Sequence, residues 1–137
     1  MPGTHPAIAA GGDELWRVRL RGVPGLDADA GLGRLRGKLP SYLRLLRVFV
    51  ATRGGDAERI EALVRAGELA EARAIAHALK GAAAMLGASA LQSCAAALET
   101  SLGESRPPES LLADCAALAA AHAALIAALA ALPDTAA

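Results

Sequence analysis

A histidine, a lysine and a glycine lie close together in a segment otherwise suited to a packed helix. Lys80 and Gly81 follow His77 by three and four residues, so all three fall on one side of a helix. At 100° per residue the apolar side chains form an opposite, core-facing stripe, which consists of Ile75, Leu79, Ala82, Ala83 and Leu86. The segment therefore predicts a solvent-facing imidazole beside a cation, which suits a nucleophile. The alternative is an ordinary solvated histidine.

Gly81 is the costly residue of this segment. A glycine inside a helix costs about 1 kcal/mol relative to alanine, and alanine is used almost everywhere else along this chain. Its place one turn after His77 leaves space beside the ring, through which a second protein or a phosphoryl group can approach. The alternative is that glycine is merely tolerated at this position.

Composition limits the classes of fold and function. The 137 residues suffice for one domain, and 54% hydrophobic with 2% aromatic residues favours close-packed helices. Fourteen acidic and fourteen basic side chains balance, which argues against nucleic acid or an anionic membrane as a partner. The sequence contains no glycine-rich phosphate loop, nucleophile elbow or ATP-binding kinase segment. A turnover enzyme is therefore not expected.

Helix signals recur along the chain and predict an all-α fold. Asp27 is a suitable N-cap for a short helix, and Pro40 fits the first turn of a long one. Apolar residues keep one phase across residues 54–56, as one helix or as two coaxial pieces. Three further helices follow, separated by Gly87 and by residues 103–106. We expect an antiparallel four-helix bundle with a short extra N-terminal helix.

The domain is expected over residues 23–135, after a flexible segment or linker over residues 1–22. Within that segment, residues 14–21 fit either a strand or a helix. The N-terminus lacks the features of a secretory signal, which predicts a cytoplasmic protein. The uncharged stretch 115–132 is long enough to be weighed as a membrane span, but its helical context favours a soluble bundle.

The remaining histidines and both cysteines are assigned structural roles. His122 lies in the apolar stripe of the last helix and is expected to be buried, neutral and hydrogen-bonded, whereas His5 lies in the presumed tail. Cys94 and Cys115 have no metal-site spacing and are expected to be buried, reduced thiols. We expect no metal site.

The segment His77-Ala78-Leu79-Lys80-Gly81, followed by Leu86-Gly87, resembles the phosphoacceptor motif of histidine phosphotransfer (HPt) domains in two-component phosphorelays. The resemblance covers about residues 23–132. It implies that His77 accepts the phosphoryl group and that Lys80 acts on it electrostatically. It also implies that Glu99, 22 residues after the histidine, hydrogen-bonds the other ring nitrogen and orients the ring.

The same resemblance implies partners. Phosphoryl donors and acceptors would be aspartates of response-regulator receiver domains, with a hybrid sensor histidine kinase in the pathway. Mg²⁺ would be held by the receiver, so this chain, a monomer, needs no cofactor. The expected receiver-docking surface around the histidine consists of Ala70, Arg73, Ala74, Gly81 and Ala84.

The residues that follow Gly81 depart from the family pattern. Many family members have a polar or bulkier residue there, whereas this chain has three alanines at 82–84. One alternative is a scaffold, or a degenerate HPt module that binds receivers without accepting phosphate. Another is a fragment of a chemotaxis-type kinase.

Overall fold

The computed structural model describes residues 10–133, and the regular structure of that part of the chain is entirely helical. Seven helices follow one another: α1 Ala10–Arg21, α2 Ala28–Arg34, α3 Leu39–Arg53, α4 Asp56–Arg65, α5 Leu69–Leu86, α6 Ser89–Gly103 and α7 Pro108–Ala130. The all-α prediction is confirmed.

Helices α4 to α7 form a bundle in which α5 packs between α4 and α6, and α7 packs against α4 and α6. The side-chain pairs across α5 and α6 give their relative direction. His77 faces Glu99, whereas Arg73, one turn earlier, faces Gly103, one turn later, so the two helices run antiparallel. This is the predicted four-helix architecture.

The first long helix is divided at its two glycines into two pieces and does not run on as one helix. α3 ends at Arg53 and α4 begins at Asp56. The buried ring of His122 in α7 donates from Nε2 to the carbonyl oxygen of Arg53, at 2.8 Å. A carbonyl at a helix end has no partner within its own helix, so this bond satisfies it. The predicted buried, hydrogen-bonded state of His122 is confirmed.

The N-terminal region departs from the expected flexible segment. Residues 1–9 lie outside the described part of the chain, but residues 10–21 form α1, which settles the strand-or-helix alternative. Trp16 and Leu20, spaced by one turn, are both buried, and this burial explains why the segment is ordered. Two short N-terminal helices, α1 and α2, thus precede the bundle. The domain boundary near residue 23 stays a prediction.

The buried face of α5 is rotated towards α6 relative to the stripe that the sequence predicted. Leu79, Ala83 and Leu86 are buried as expected, but Ile75 and Ala82 are only partly buried. Ala72 and Ala76 are buried in their place. Alanines allow two helix backbones to approach closely, so α5 rotates its small residues towards α6.

The C-terminal end of α5 is fixed by residues far upstream. The Tyr42 hydroxyl, whose pKa is raised by burial, donates to the Leu86 carbonyl at 2.6 Å. The Asp27 amide donates to the Gly87 carbonyl at 2.6 Å. The Asp27 side chain also caps α2 by accepting from the Ala30 amide, as predicted. The last turn of the helix that carries His77 is therefore held in place from outside the bundle.

Gly87 should be intolerant of any side chain. Its φ is +81°, and a Cβ there would overlap the Asp27 carbonyl oxygen. We expect Gly87→Ala to lower the free energy of unfolding by about 2–4 kcal/mol in urea titrations. Gly37 has a φ of +74° with open space around it, so Gly37→Ala should cost only about 1–2 kcal/mol. Equal losses in the two variants would contradict the overlap.

α7 has the length and apolar composition of a membrane-spanning helix. Its buried stripe packs inside the bundle and consists of Leu111, Cys115, Leu118, His122, Leu125 and Leu129. Such burial is typical of the core helix of a bundle.

The two cysteines differ in burial. Cys115 is a buried free thiol, as expected, and this burial raises its pKa. Cys94 is a free thiol that is only half-buried, because it lies at the edge of its helix's apolar face.

Candidate functional site

A carboxylate that contacts both an imidazole ring and an ammonium group forms the centre of the site. Glu99 Oε2 lies 2.8 Å from His77 Nδ1, and Glu99 Oε1 lies 2.7 Å from Lys80 Nζ. The helix of α5 places His77 and Lys80 one turn apart on the side that faces α6, and Glu99 meets both from α6. Each carboxylate oxygen thus has its own partner.

Burial differs sharply among these three side chains. The His77 side chain is 68% exposed, whereas that of Glu99 is only 16% exposed and that of Lys80 lies between them. The carboxylate is therefore held against the protein while the ring extends into solvent. A partly buried charge makes a stronger hydrogen bond than a fully solvated one, because water competes less for it.

The charge on Glu99 determines which ring nitrogen of His77 carries the proton. The hydrogen bond from Lys80 lowers the pKa of Glu99 most, and the bond with His77 lowers it further, whereas partial burial opposes both. An ionised carboxylate can only accept, so Nδ1–H of His77 is the donor. Nε2 then bears the free lone pair, on an exposed ring. The neutral form of the ring therefore presents its nucleophilic nitrogen, Nε2, to solvent.

The surroundings of His77 are small and open on the side away from α6. A Cβ added at Gly81 would meet no atom within 4 Å, so nothing in the chain itself requires glycine there. Ala70 and Ala74 are exposed, as expected for a docking surface, whereas Ala84 is half-buried against the bundle. The guanidinium of Arg73, which is exposed, lies over the end of α6 beside Gly103.

The structure brings the three residues that were assigned chemistry together, but with one difference in detail. Lys80, which was expected to place its ammonium near the phosphoryl oxygens, also pairs with Glu99, a contact that the sequence analysis did not predict. Two exposed apolar residues near this face, Val48 and Met85, were missed by the sequence analysis. Met85 lies eight residues after His77, and this spacing was the available signal. Within residues 10–133, no group of three His, Cys, Asp or Glu side chains could hold a metal ion.

Lys80 should control the ionisation of Glu99. We expect Lys80→Met to raise the pKa of Glu99, because the bond that lowers it most is lost while partial burial still favours the neutral acid. The measurement is an NMR titration of the Glu99 carboxyl carbon. Lys38→Met removes the only other lysine of the chain and should leave that titration unchanged. An identical titration of Glu99 in wild type and Lys80→Met would contradict the shared-carboxylate arrangement.

A family model described as Hpt domain matches residues 44–134. The matched region is more than half of the chain and contains the four helices of the bundle together with the three residues of the site. The curated proteins and the solved structures give no match.

Proposed function

The chain belongs to the Hpt domain family, and on that premise we propose that His77 accepts a phosphoryl group from a receiver-domain aspartate and passes it to another receiver. Members of this family are phosphocarriers in phosphorelays and not kinases. The observation that carries the proposal is the geometry of one ring. His77 Nδ1 is bonded to a partly buried carboxylate while the rest of the ring is exposed.

The transfer step needs only the lone pair on Nε2. Nε2 attacks the phosphorus of an aspartyl phosphate, so that an N–P bond forms while the O–P bond to the aspartate breaks. The aspartate leaves as a carboxylate. The positive charge that develops on the imidazole is stabilised by Glu99, which accepts the Nδ1–H. In the onward step a second aspartate carboxylate attacks phosphorus and His77 leaves as neutral imidazole.

Lys80 supports this chemistry in two ways. Its ion pair with Glu99 keeps the carboxylate ionised, so that the carboxylate remains an acceptor for Nδ1–H. Its ammonium carries three N–H donors, of which Glu99 occupies one, so the others are available to phosphoryl oxygens approaching Nε2. The cation also offsets the repulsion between a dianionic phosphoryl group and Glu99.

The wider setting follows from family membership. Hpt domains interact with receiver domains and histidine kinases. We propose that this chain works in the cytoplasm, as a monomer, between receivers and a hybrid sensor histidine kinase. The Mg²⁺ required for transfer would be held by the carboxylates of the receiver, so the chain itself needs no cofactor.

The direct test is phosphoryl transfer from a receiver. A panel of receiver domains, each phosphorylated on aspartate by acetyl phosphate carrying ³²P, is incubated with the full chain and Mg²⁺. We expect at least one receiver to transfer label that is acid-labile and base-stable, and a second, unlabelled receiver to remove it. Receivers that bind the chain without transferring label would instead support a degenerate docking module.

A further inference from the structure

The balance of charge over the whole chain hides a division between its two parts. Residues 1–53 contain nine basic and four acidic side chains, whereas residues 54–137 contain five basic and ten acidic ones. Helices α1, α2 and α3 belong to the first part, and α4 to α7 belong to the second. A chain that is neutral overall can therefore still present a basic face to an anionic surface.

Most basic side chains of this first part are exposed. Asp27, one of its four acids, caps α2, and Asp29 lies 3.7 Å from Arg21, which is beyond hydrogen-bond range. Asp13 is half-buried and Glu14 is exposed, both near the start of α1. The exposed side chains of the first three helices are thus predominantly positive. The exposed basic residues are Arg19, Arg21, Arg34, Arg36, Lys38, Arg44 and Arg47.

Helix α1 is apolar on two opposite sides. Trp16 and Leu20 pack inwards, whereas the side chains of Leu15 and Val18 are 64% and 58% exposed, the highest fractions among the large apolar residues of 10–133. At 100° per residue, Leu15 and Val18 lie together on the side of the helix away from the buried pair. A helix that is apolar all round is normally buried. The outer side of α1 is therefore suited to a further apolar contact.

Two arginines border the exposed apolar pair. On the helix wheel Arg19 lies about 40° from Leu15, and Arg21 lies about 60° from Val18, on opposite sides of the pair. Glu14 shares the side of Arg21 but lies about 10 Å away along the helix axis. Arginine extends its aliphatic stem along apolar surface and keeps its guanidinium in polar surroundings. An apolar centre with basic borders is typical of helices that lie in the interface of a lipid bilayer.

Other anionic partners fit this face less well. Nucleic acid bases stack on exposed aromatic rings, but the three aromatic residues of the chain, Trp16, Tyr42 and Phe49, are all buried. An acidic protein would need a carboxylate placed opposite each arginine. Lipid headgroups move laterally, so their phosphates can meet guanidinium groups in any arrangement. Acyl chains also accept apolar side chains without a pre-formed pocket.

Helix α1 is set apart from the residues of the phosphotransfer site. It packs on α2, and Trp16 borders a groove that α3 and the end of α7 also line. His77, in contrast, extends from α5 and bonds to Glu99 of α6. A chain bound through the outer side of α1 therefore keeps its reactive ring accessible.

We propose that the outer side of α1 binds reversibly to anionic phospholipid surfaces. Leu15 and Val18 enter the interface, and Arg19 and Arg21 contact the phosphates. The exposed basic side chains of α2 and α3 add a longer-range attraction, which salt weakens. This contact lies on the surface of the bilayer and does not require α7 to span it. The inference does not depend on the proposed phosphotransfer function, so each can fail without the other.

The test is flotation of the full chain with lipid vesicles. Vesicles of phosphatidylcholine with about 30% phosphatidylglycerol should carry the chain at about 0.05 M salt, and about 0.5 M salt should release it. Arg19→Gln with Arg21→Gln should lower the partition coefficient roughly 25-fold, because each basic side chain near an anionic surface contributes about fivefold. Leu15→Gln with Val18→Gln should lower it about tenfold.

Two controls separate this contact from general charge and from misfolding. Arg59→Gln with Arg106→Gln removes two exposed arginines of the bundle and should keep partitioning within about twofold of wild type. Arg19→Lys with Arg21→Lys keeps the charge and should bind as the wild type does. Trp16 is the only tryptophan and is buried, so an unchanged emission maximum shows that α1 stays packed in each variant.

Several results would overturn the proposal. These are equal binding to pure phosphatidylcholine vesicles, unchanged binding of either glutamine variant of α1, and an equal loss in the bundle variant. Salt-resistant binding would also overturn it, because it would indicate insertion of an apolar helix. So would tighter binding to a DNA or RNA oligonucleotide than to vesicles, or an effect on self-association alone, which would make the outer side of α1 a contact between copies.

Discussion

A chain carrying His77→Gln is expected to take up no acid-labile phosphoryl label from any phosphorylated receiver. Glutamine keeps a polar side chain of similar size, but the lone pair of its amide nitrogen is delocalised and does not attack phosphorus. Because His77 is 68% exposed, the substitution removes little packing, and stability should stay within about 0.5 kcal/mol of wild type. The loss of label is measured by phosphor imaging at matched chain and receiver concentrations.

His5→Gln provides the matched control for this experiment. The chain has three histidines, and His122 is buried and bonded to the α3 carbonyl, so its replacement would confound stability with reactivity. His5→Gln should label as the wild type does. Acid-labile label that persists on the His77→Gln chain would show that another side chain is the acceptor and would remove the basis of the proposed function.

Loss of the Glu99 carboxylate is expected to slow transfer by roughly 10- to 100-fold. A hydrogen bond to a charged group contributes about 1.5–3 kcal/mol, and each 1.4 kcal/mol corresponds to a factor of ten in rate. Glu99→Ala removes the acceptor of Nδ1–H, so the ring loses both its orientation and its fixed tautomer. Rapid-quench kinetics should show the loss mainly in kcat, because Glu99 is set back from the docking surface.

Glu99→Gln separates orientation from charge. The amide oxygen still accepts from Nδ1, so we expect this variant to retain more activity than Glu99→Ala. A second measurement is the ¹⁵N spectrum of the ring, in which Nδ1 should lose its fixed proton only in Glu99→Ala. Glu104→Ala removes another glutamate of α6's C-terminal end, paired with Arg106, and should transfer normally. Equal rates in wild type and Glu99→Ala would refute the positioning role.

Several helix ends were predictable because their signals are local. Asp27, Pro40 and Gly87 mark helix ends through capping and backbone geometry that depend on few neighbours. The break between α3 and α4 at residues 54–55 could not be predicted in this way, and neither could the formation of helix α1. Tertiary contacts decide whether two glycines interrupt a helix and whether Trp16 is buried. A short stretch of sequence does not reveal these contacts.

The residues of the site were predictable from the sequence, but not all of their contacts. The spacing of His77, Lys80 and Gly81 places them on one face, and the resemblance assigns Glu99 to the ring. The pairing of Lys80 with Glu99 was missed because it depends on how far α6 lies from α5 and on the rotation of α5 towards it. The exposure of Val48 and Met85 was missed because each looks like an ordinary core residue in sequence.

The anchoring of α5 from upstream has a consequence for engineering. The family match begins at residue 44, inside α3, yet Tyr42 and Asp27 hold the last turn of the histidine-bearing helix. A portable phosphotransfer cassette cut at the match boundary would discard both tethers and leave the end of α5 free to fray. Fusion designs should therefore retain α2 and the loop before it, so that the reactive ring keeps its scaffold.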